Sequence, residues 1–314
     1  MDVQMLIDEG IAILKDKIDD TAIIACSGGI DSTVAAVMAN NAVGGMLHCV
    51  YVDTGFMRKG ETEEVKEMLT ELGLNLKVVD ASERFFKHLE GVTEPEAKRK
   101  VIGEQFIRVF EEEQASCGAK YLVQGTIAPD WIESGGGDRD VIKSHHNVGG
   151  LPEDVNLIIV EPLRDFYKDE VRNMAAAMKI PSSNRQPFPG PGLAVRVLGD
   201  LTRERTEACR EACAIVEEEF EAAAEAGEME IPWQYFAALL PVSSVGVHGD
   251  ARVYGETIVV RAVRSMDGMS ARYSEIPHSI LQKISTRITN KLKGDVNRVV
   301  YDITHKPPGT IEWE

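Results

Sequence analysis

A glycine-rich hexapeptide, placed directly after a short apolar run near the amino terminus, constrains the fold of this chain most strongly. The apolar run covers residues 21–26, and the hexapeptide is Ser27-Gly28-Gly29-Ile30-Asp31-Ser32. Alanine-rich, helix-forming residues continue over residues 32–42. A continuous apolar run, a glycine turn and a helical pattern predict a buried strand that turns tightly into a helix.

The same alternation continues along the first half of the chain. Strand-like apolar runs occur at residues 46–53, 76–79, 121–124 and 157–160, and helical patterns at 61–72, 95–115 and 168–178. Strands that alternate with helices are typical of a parallel sheet with helices on its faces. We therefore expect an α/β fold with a twisted parallel sheet and flanking helices.

Two segments interrupt this pattern and predict the domain organisation. Residues 126–150 are glycine-rich and long for a simple connection, which indicates a lid. Four prolines between residues 181 and 191 break regular structure and predict a domain boundary there. We expect a nucleotide-binding domain over residues 1–190, then a smaller α+β domain over 191–314 with helices at 203–226 and 280–292 and strands at 257–263 and 298–303.

The hexapeptide has the composition of an anion-binding loop. Glycines leave backbone N–H groups unhindered, two serines add hydroxyls, and the amino terminus of a helix favours negative charge. A Walker loop and a Gly-x-Gly-x-x-Gly dinucleotide loop are both absent here, which disfavours kinase, GTPase and dehydrogenase activities. A plain glycine turn with a capping serine or aspartate is the structural alternative.

Overall composition narrows the class of protein further. The formal net charge of −17 argues against a nucleic-acid partner, although a local basic pocket for a small anion remains compatible with it. Apolar stretches are too short for a membrane span and the first residues do not resemble a signal peptide, so we expect a cytoplasmic protein. Five scattered cysteines predict reduced thiols rather than a disulfide framework.

The hexapeptide resembles the pyrophosphate loop of the ATP pyrophosphatases, which cleave ATP between its α and β phosphates. Further strings, in the same order along the chain, resemble the GMP synthetase family: Tyr51-Val52-Asp53-Thr54-Gly55, Gln124-Gly125-Thr126, Ile142-Lys143-Ser144-His145-His146-Asn147, Pro187-Phe188-Pro189-Gly190-Pro191-Gly192 and Lys306-Pro307-Pro308-Gly309-Thr310-Ile311-Glu312-Trp313-Glu314. Gln186 and Ser270 depart from the family pattern, where histidine and threonine are expected.

The resemblance implies a fold like that of the adenine nucleotide alpha hydrolases and a two-step reaction. ATP first adenylates the C2 oxygen of xanthosine monophosphate (XMP), and ammonia then displaces AMP to give guanosine monophosphate (GMP). Because the first step moves a phosphoryl group, its catalysis depends on positioning and on cations. Mg²⁺ is the implied cofactor, and Asp31 would hold it on the departing pyrophosphate.

The resemblance also assigns residues to ATP and to catalysis. The ATP and pyrophosphate contacts are Ser27, Gly28, Gly29, Ile30, Asp31, Ser32, Val52, Asp53, Gly125 and Thr126. The catalytic residues are Lys143, which would close onto the phosphates with the lid, and Asp31. Asp130 is added as a third catalytic residue from its position on the first part of the lid, where it could assist a cation or ammonia near the purine. Three alternatives stay open: Asp53 caps the loop that follows it, Asp130 is a surface carboxylate, and Lys143 is a solvated loop lysine.

The resemblance places XMP against Arg99, Pro187, Lys306, Ile311 and Glu312. Without the resemblance, each of the two segments that contain these residues has a simpler structural interpretation. A basic triplet such as Lys98-Arg99-Lys100 is usually a solvated helix face, and a chain terminus usually frays. The apolar residues of the tail, including Ile311 and Trp313, favour an anchored segment instead.

The position of the hexapeptide in the sequence and the family resemblance predict the partners of this protein. The hexapeptide lies so near the first residue that no glutaminase domain precedes it, so we expect ammonia from a separate glutaminase subunit. The resemblance implies a homodimer formed through the carboxyl-terminal domain, with no nucleic acid or membrane partner. Two rival functions remain: another ATP pyrophosphatase, such as an NAD synthetase or a tRNA-sulfurating enzyme, and a non-catalytic nucleotide sensor.

Overall fold

The computed structural model describes residues 3–128, 157–181, 186–266 and 268–314. The chain divides into two compact units. Unit 1 comprises Met1–Gly55, Gly60–Phe85 and Gly103–Asn184, and unit 2 comprises Phe56–Lys59, Phe86–Ile102 and Arg185–Glu314. The domain boundary near residue 190 stays a prediction.

Unit 1 contains the predicted parallel sheet. Its strands are β1 (Ala22–Ala25), β2 (Leu47–Asp53), β3 (Leu76–Asp80), β4 (Tyr121–Val123) and β5 (Ile158–Val160). The strand order is β3-β2-β1-β4-β5, and every pair is parallel. The helices in the first part of the chain are α1 (Val3–Lys17), α2 (Ile30–Val43), α3 (Glu61–Glu71), α4 (Ser82–Leu89), α5 (Pro95–Cys117) and α6 (Lys168–Ala177). Residues 86–89 of α4 and 95–102 of α5 belong to unit 2.

The core of unit 1 lies between β1 and its flanking helix α2. Residues 33–39 of α2 are all buried, as are Ile23 and Ile24 of β1. Small alanine side chains let this helix be covered on every side, which explains why its sequence lacks an amphipathic stripe. The predicted strands and helices of unit 1 are confirmed, whereas α1 and the short α4 were not predicted.

The strand order reverses direction at β1. From β1 the chain moves through β2 to β3 on one side, while β4 and β5 lie on the other side. The carboxyl ends of β1 and β4 therefore flank a topological switch point, the usual ligand position in open parallel sheets.

Unit 2 is built on a mixed sheet with two helices. The elements are α7 (Arg203–Glu225), β6 (Gln234–His248), β7 (Ala251–Arg264), β8 (Arg272–Tyr273), α8 (His278–Lys291) and β9 (Val296–Asp302). Strand β7 pairs antiparallel with β6 and β8 and parallel with β9. The predicted α+β class, both helices and the two strands are confirmed, although β7 is twice as long as expected and β6 was not predicted.

Two further expectations concern the chain as a whole. All five cysteines are free thiols, and Cys26, Cys49, Cys209 and Cys213 are buried. Within the described ranges, no helix is long and apolar enough to cross a membrane.

Candidate nucleotide site

The hexapeptide lies at the topological switch point of unit 1. It connects the carboxyl end of β1 to the first residue of α2, Ile30. Gly125 and Thr126 follow the carboxyl end of the neighbouring strand β4. The two segments that the sequence assigned to ATP therefore flank one crevice of the sheet.

The loop is held in shape by its own polar atoms. Gly28 has a positive φ of 77°, and a Cβ at this position would lie 2.5 Å from Cγ2 of Val65. The hydroxyls of Ser27 and Ser32 are 3.1 Å apart, and the hydroxyl of Ser32 donates to the carbonyl oxygen of Gly29 at 3.0 Å. Both serine hydroxyls are thus gathered at the amino terminus of α2, where the helix dipole favours an anion.

Asp31 lies in the first turn of α2 and has a cationic partner. The Nζ atom of Lys168, the first residue of α6, lies 2.5 Å from Oδ2 of Asp31. The other oxygen, Oδ1, is buried and has no hydrogen-bond partner among the described residues. A carboxylate with one oxygen paired to a lysine and the other oxygen unpaired fits the role of a Mg²⁺ ligand, because Mg²⁺ is usually bound by one or two carboxylates together with substrate phosphates.

Gly125 brings the end of β4 against this loop. A Cβ on Gly125 would lie 3.0 Å from the carbonyl carbon of Asp31 and 3.0 Å from the backbone nitrogen of Ser32. Only glycine permits this approach without a shift of the loop. The side-chain oxygen of Gln124 is also buried, and the described part of the chain offers it no hydrogen-bond partner.

Asp53 is committed to local contacts at the end of β2. Its Oδ1 accepts from the backbone N–H of Gly55 at 2.8 Å, and its Oδ2 accepts from the hydroxyl of Thr62 at 2.7 Å. The alternative that Asp53 caps the following loop is therefore observed, while its contact with ATP stays a prediction. Val52 is buried within β2 and pairs with Val79 of β3, and its contact with ATP also stays a prediction.

The residues predicted to bind XMP lie in unit 2, and several of them meet at the chain's tail. Arg99 Nη2 donates to the main-chain oxygen of Glu314 at 2.5 Å. Gln234 Nε2 donates both to the carbonyl oxygen of Pro187 at 3.3 Å and to Oε1 of Glu312 at 2.7 Å. Lys306 is separate from these contacts, since its Nζ donates to the carbonyl oxygen of Gly268 at 2.8 Å.

The alternative of a solvated basic triplet holds for Lys100, which is exposed, and in part for Arg99, but not for Lys98, and the alternative of a frayed tail is wrong. Lys98, of the basic triplet, is fully buried rather than solvated, and its Nζ lies 2.5 Å from Oε2 of Glu314. The tail is fixed from Thr304 to Glu314 by side chains of unit 2 rather than frayed. Arg261 alone donates to the carbonyl oxygens of Thr304, Thr310 and Ile311 at 2.8 to 2.9 Å.

Sequence reasoning missed Lys168 and could not place two other residues. Lys168 follows β5, whose carboxyl end lies at the same sheet edge as the loop, so strand order was the signal that could have identified it. Asp130, Lys143 and most of the predicted lid at 126–150 lie outside the described residues. Across the described ranges, His, Cys, Asp and Glu side chains form no cluster of three or more that would hold a metal by themselves.

The fold and this site define a class: α/β nucleotide-binding proteins with a glycine-rich phosphate loop at the sheet's switch point. Consistent with that class, residues 21–125 match the family described as phosphoadenosine phosphosulfate reductase domain. Residues 221–313 match the family described as GMP synthase C terminal domain. An ammonia-dependent NAD synthetase from Campylobacter jejuni, at 14% identity, gives a TM-score of 0.45 over 58% of this chain and 75% of its own.

Relatives that match over the full length identify the family. A subunit of the glutamine-hydrolyzing GMP synthase of Thermococcus kodakarensis is 58% identical over 98% of both chains. The protein of the same description from Methanopyrus kandleri is 57% identical over 100% of this chain and 99% of its own. The chain belongs to the family of these GMP synthase subunits. It is also 53% identical to a GMP synthase of Clostridium tetani, of which it covers 60%.

Proposed function

We propose that this protein is the synthetase subunit that converts XMP, ATP and ammonia to GMP, AMP and pyrophosphate. One observation carries the proposal. More than half of the residues are identical, over nearly the full length, to those of the GMP synthase subunits of Thermococcus kodakarensis and Methanopyrus kandleri. The phosphate loop at the switch point supports the ATP half of the reaction. The tail of unit 2, with Glu312 and its partners, supports the XMP half.

The reaction needs a leaving group at C2 of the purine, because hydroxide departs poorly. The C2 oxygen of XMP attacks the α phosphorus of ATP, the bond from that phosphorus to the bridging oxygen breaks, and pyrophosphate departs. Ammonia then adds to C2 and the C2–O bond breaks, which releases AMP with the former XMP oxygen and leaves the amine of GMP. The amine loses its extra protons to solvent.

The loop residues bind and orient the phosphates in this scheme. The hydroxyls of Ser27 and Ser32 and the backbone N–H groups of Gly28 and Gly29 donate to phosphate oxygens. Lys168 offers an ammonium group at the same edge and neutralises the charge that develops on pyrophosphate. Asp31, Val52, Asp53, Gly125, Thr126, Asp130 and Lys143 complete the proposed ATP and catalytic set.

Mg²⁺ is the proposed cofactor, with Asp31 as its protein ligand. When bound, the ion supplies charge neutralisation to the departing pyrophosphate. The unpaired and buried Oδ1 of Asp31 supports this assignment. Arg99, Pro187, Lys306, Ile311 and Glu312 are the proposed XMP contacts.

A separate glutaminase subunit is the proposed source of ammonia. Support comes from the description of the relatives as one subunit of a glutamine-hydrolyzing enzyme. We place the protein in the cytoplasm, where its nucleotide substrates occur.

A homodimer formed through the carboxyl-terminal part of the chain is also proposed. The far end of the β6–β7 hairpin exposes Val245 (45%), Val247 (71%) and Tyr254 (67%). Val245 pairs with Tyr254 in register, and Val247 is two residues along the same strand, so the three side chains share one face of the ribbon. An exposed apolar ribbon face of this kind supports a contact with a second copy.

The test is pyrophosphate release by the purified chain with ATP, Mg²⁺ and ammonium, with and without XMP. The proposal requires pyrophosphate, AMP and GMP to form in equal amounts and only when XMP is present. Glutamine in place of ammonium should give no GMP until a glutaminase subunit is added. Pyrophosphate release without XMP, or no release by a folded sample, would contradict the proposal.

A further inference from the structure

The fully buried guanidinium of Arg196, in unit 2, donates two hydrogen bonds to the carboxylate of Glu312. Arg196 has no exposed side-chain surface, and its Nε and Nη2 donate to Oε2 and Oε1 of Glu312 at 3.0 and 2.8 Å. The guanidinium also lies 4.2 Å above the ring centroid of Phe236 and 5.0 Å from that of Phe188. Two parallel hydrogen bonds to a stacked guanidinium fix the carboxylate in both position and plane.

Gln234 fixes the same carboxylate from a second direction. Its side chain is 4% exposed, and its Nε2 bridges Oε1 of Glu312 and the carbonyl oxygen of Pro187. Pro187 and Glu312 come from distant parts of the sequence, and both are proposed XMP contacts. One amide therefore sets the spacing between them.

The carboxylate of Glu312 retains a free acceptor position. Oε1 already accepts from Arg196 and Gln234, whereas Oε2 accepts only from Arg196 within the described part of the chain. An ionised carboxylate has about four lone-pair sites, so Oε2 keeps one for another donor. The side chain of Glu312 is 16% exposed, so the carboxylate is not fully enclosed by the protein.

Arg196 is not required to anchor the main chain of the tail. That anchoring comes from Arg261, which donates to three tail carbonyl oxygens, and from Lys98, which pairs with Glu314. The hydrogen bonds that Arg196 and Gln234 donate to the tail go to the side chain of Glu312. Their contacts therefore determine where one carboxylate points.

We propose that Arg196 and Gln234 are positioning residues of the XMP site, which fix Glu312 as an ionised acceptor for a hydrogen-bond donor of XMP. The proposal rests on the proposed function and extends it to two residues that act through Glu312. Both partners only donate toward Glu312, so the carboxylate is held as an acceptor. The xanthine ring carries N–H donors that suit such a group.

Kinetics of three single variants test the proposal: Arg196→Lys, Gln234→Met and Glu312→Gln. Each should raise KM for XMP roughly tenfold or more, because a charged hydrogen bond is weakened, while KM for ATP stays within about twofold. Arg205→Lys is the matched control, since Arg205 makes a similar two-bond contact with Glu256 elsewhere in unit 2. Its KM for XMP should stay at the wild-type value.

Double variants separate positioning from a merely structural role. If Arg196 and Gln234 act through Glu312, adding Arg196→Lys or Gln234→Met to Glu312→Gln should raise KM for XMP by less than about twofold more. Should Arg196→Lys fail to fold, the Gln234→Met cycle decides alone. Multiplicative effects, or equal rises in KM for XMP and ATP, would overturn the positioning proposal, whereas a wild-type enzyme without XMP-dependent turnover would instead overturn the proposed function.

Discussion

Asp31 is the residue on which the ATP half of the site depends. Replacing it with asparagine removes the charge that pairs with Lys168 and that would hold Mg²⁺, so we expect kcat/KM for ATP to fall by about 100-fold or more. The loop should keep its shape because Asp31 does not make the serine contacts. XMP-dependent pyrophosphate release measures the loss, and Asp8→Asn, at an exposed position of α1, should leave the rate unchanged. Equal rates for Asp31→Asn and wild type would refute this role.

Gly125 gives a second prediction at this scale. Alanine at this position adds a Cβ 3.0 Å from the backbone of Asp31 and Ser32, so the loop must shift, and KM for ATP should rise about tenfold. Gly103→Ala is the matched control in α5, where a Cβ would meet nothing within 4 Å. That change should raise the free energy of unfolding by roughly 0.5–1 kcal/mol and leave KM for ATP unchanged. Titration of initial rates and thermal unfolding measure the two effects, and a normal KM for Gly125→Ala would contradict the close approach.

At the scale of elements, helix α7 carries Glu217, whose ionised form is disfavoured by burial. Burial raises the pKa of Glu217 above its ordinary value, against the opposing effects of Arg58 and Arg196. Between the ordinary pKa and this raised value the unfolded chain binds fewer protons than the folded one, so stability falls as pH rises through that window. The ionised carboxylate therefore destabilises the fold at pH 7, and below pH of about 4 this cost is absent.

Glu217→Gln tests this effect of helix burial. The variant should increase the free energy of unfolding at pH 7 by on the order of 1 kcal/mol, and the gain should vanish as pH falls toward 4. Glu218→Gln, at the next and more exposed position of α7, should change stability by less than about 0.5 kcal/mol. Urea unfolding at several pH values measures both variants, and a gain for Glu217→Gln that persists at pH 4 would refute the electrostatic cause.

Comparison of elements shows which parts of the fold the sequence could predict. The buried strands β1 and β2 and the helices α2, α3, α5 and α7 have continuous patterns of their own, and they were predicted close to their observed bounds, whereas α1 was not predicted. Strand β6 was missed because Pro241 and Gly246 interrupt its pattern, and Pro241 falls at the irregularity between Leu240 and Ser244. Short α4 has too few residues for a period to be recognised.

In the candidate site, likewise, residues that form a continuous motif were predictable, and contacts that depend on tertiary packing were not. The phosphate loop is one continuous string, so its glycines and serines were predictable from sequence and family resemblance. Lys168, Arg196 and Gln234 carry no motif that was recognised, and their contacts with Asp31 and Glu312 exist only after sheet order and packing are known. Tertiary packing thus supplied the partners of charged groups that the sequence had already indicated.

At the scale of the whole molecule, the proposed dimer predicts a role for the exposed hairpin face. Glutamate at Val247 or Tyr254 would place a charge in an apolar contact, so the variants should elute as monomers where the wild type has the mass of two chains. Light scattering after size-exclusion chromatography measures the mass. Ile13→Glu, at an exposed apolar position of α1, is the control and should remain dimeric. A monomeric wild type, or dimeric hairpin variants, would contradict the proposed interface.

Transfer of one oxygen atom tests the central claim most directly. If ATP adenylates the C2 oxygen of XMP, then XMP labelled with ¹⁸O at C2 must pass its label to the phosphate of AMP during a turnover with ammonium. Mass spectrometry of the products reads the position of the label. The account predicts one ¹⁸O in each AMP formed and none in pyrophosphate, while label released to water with unlabelled AMP would contradict it.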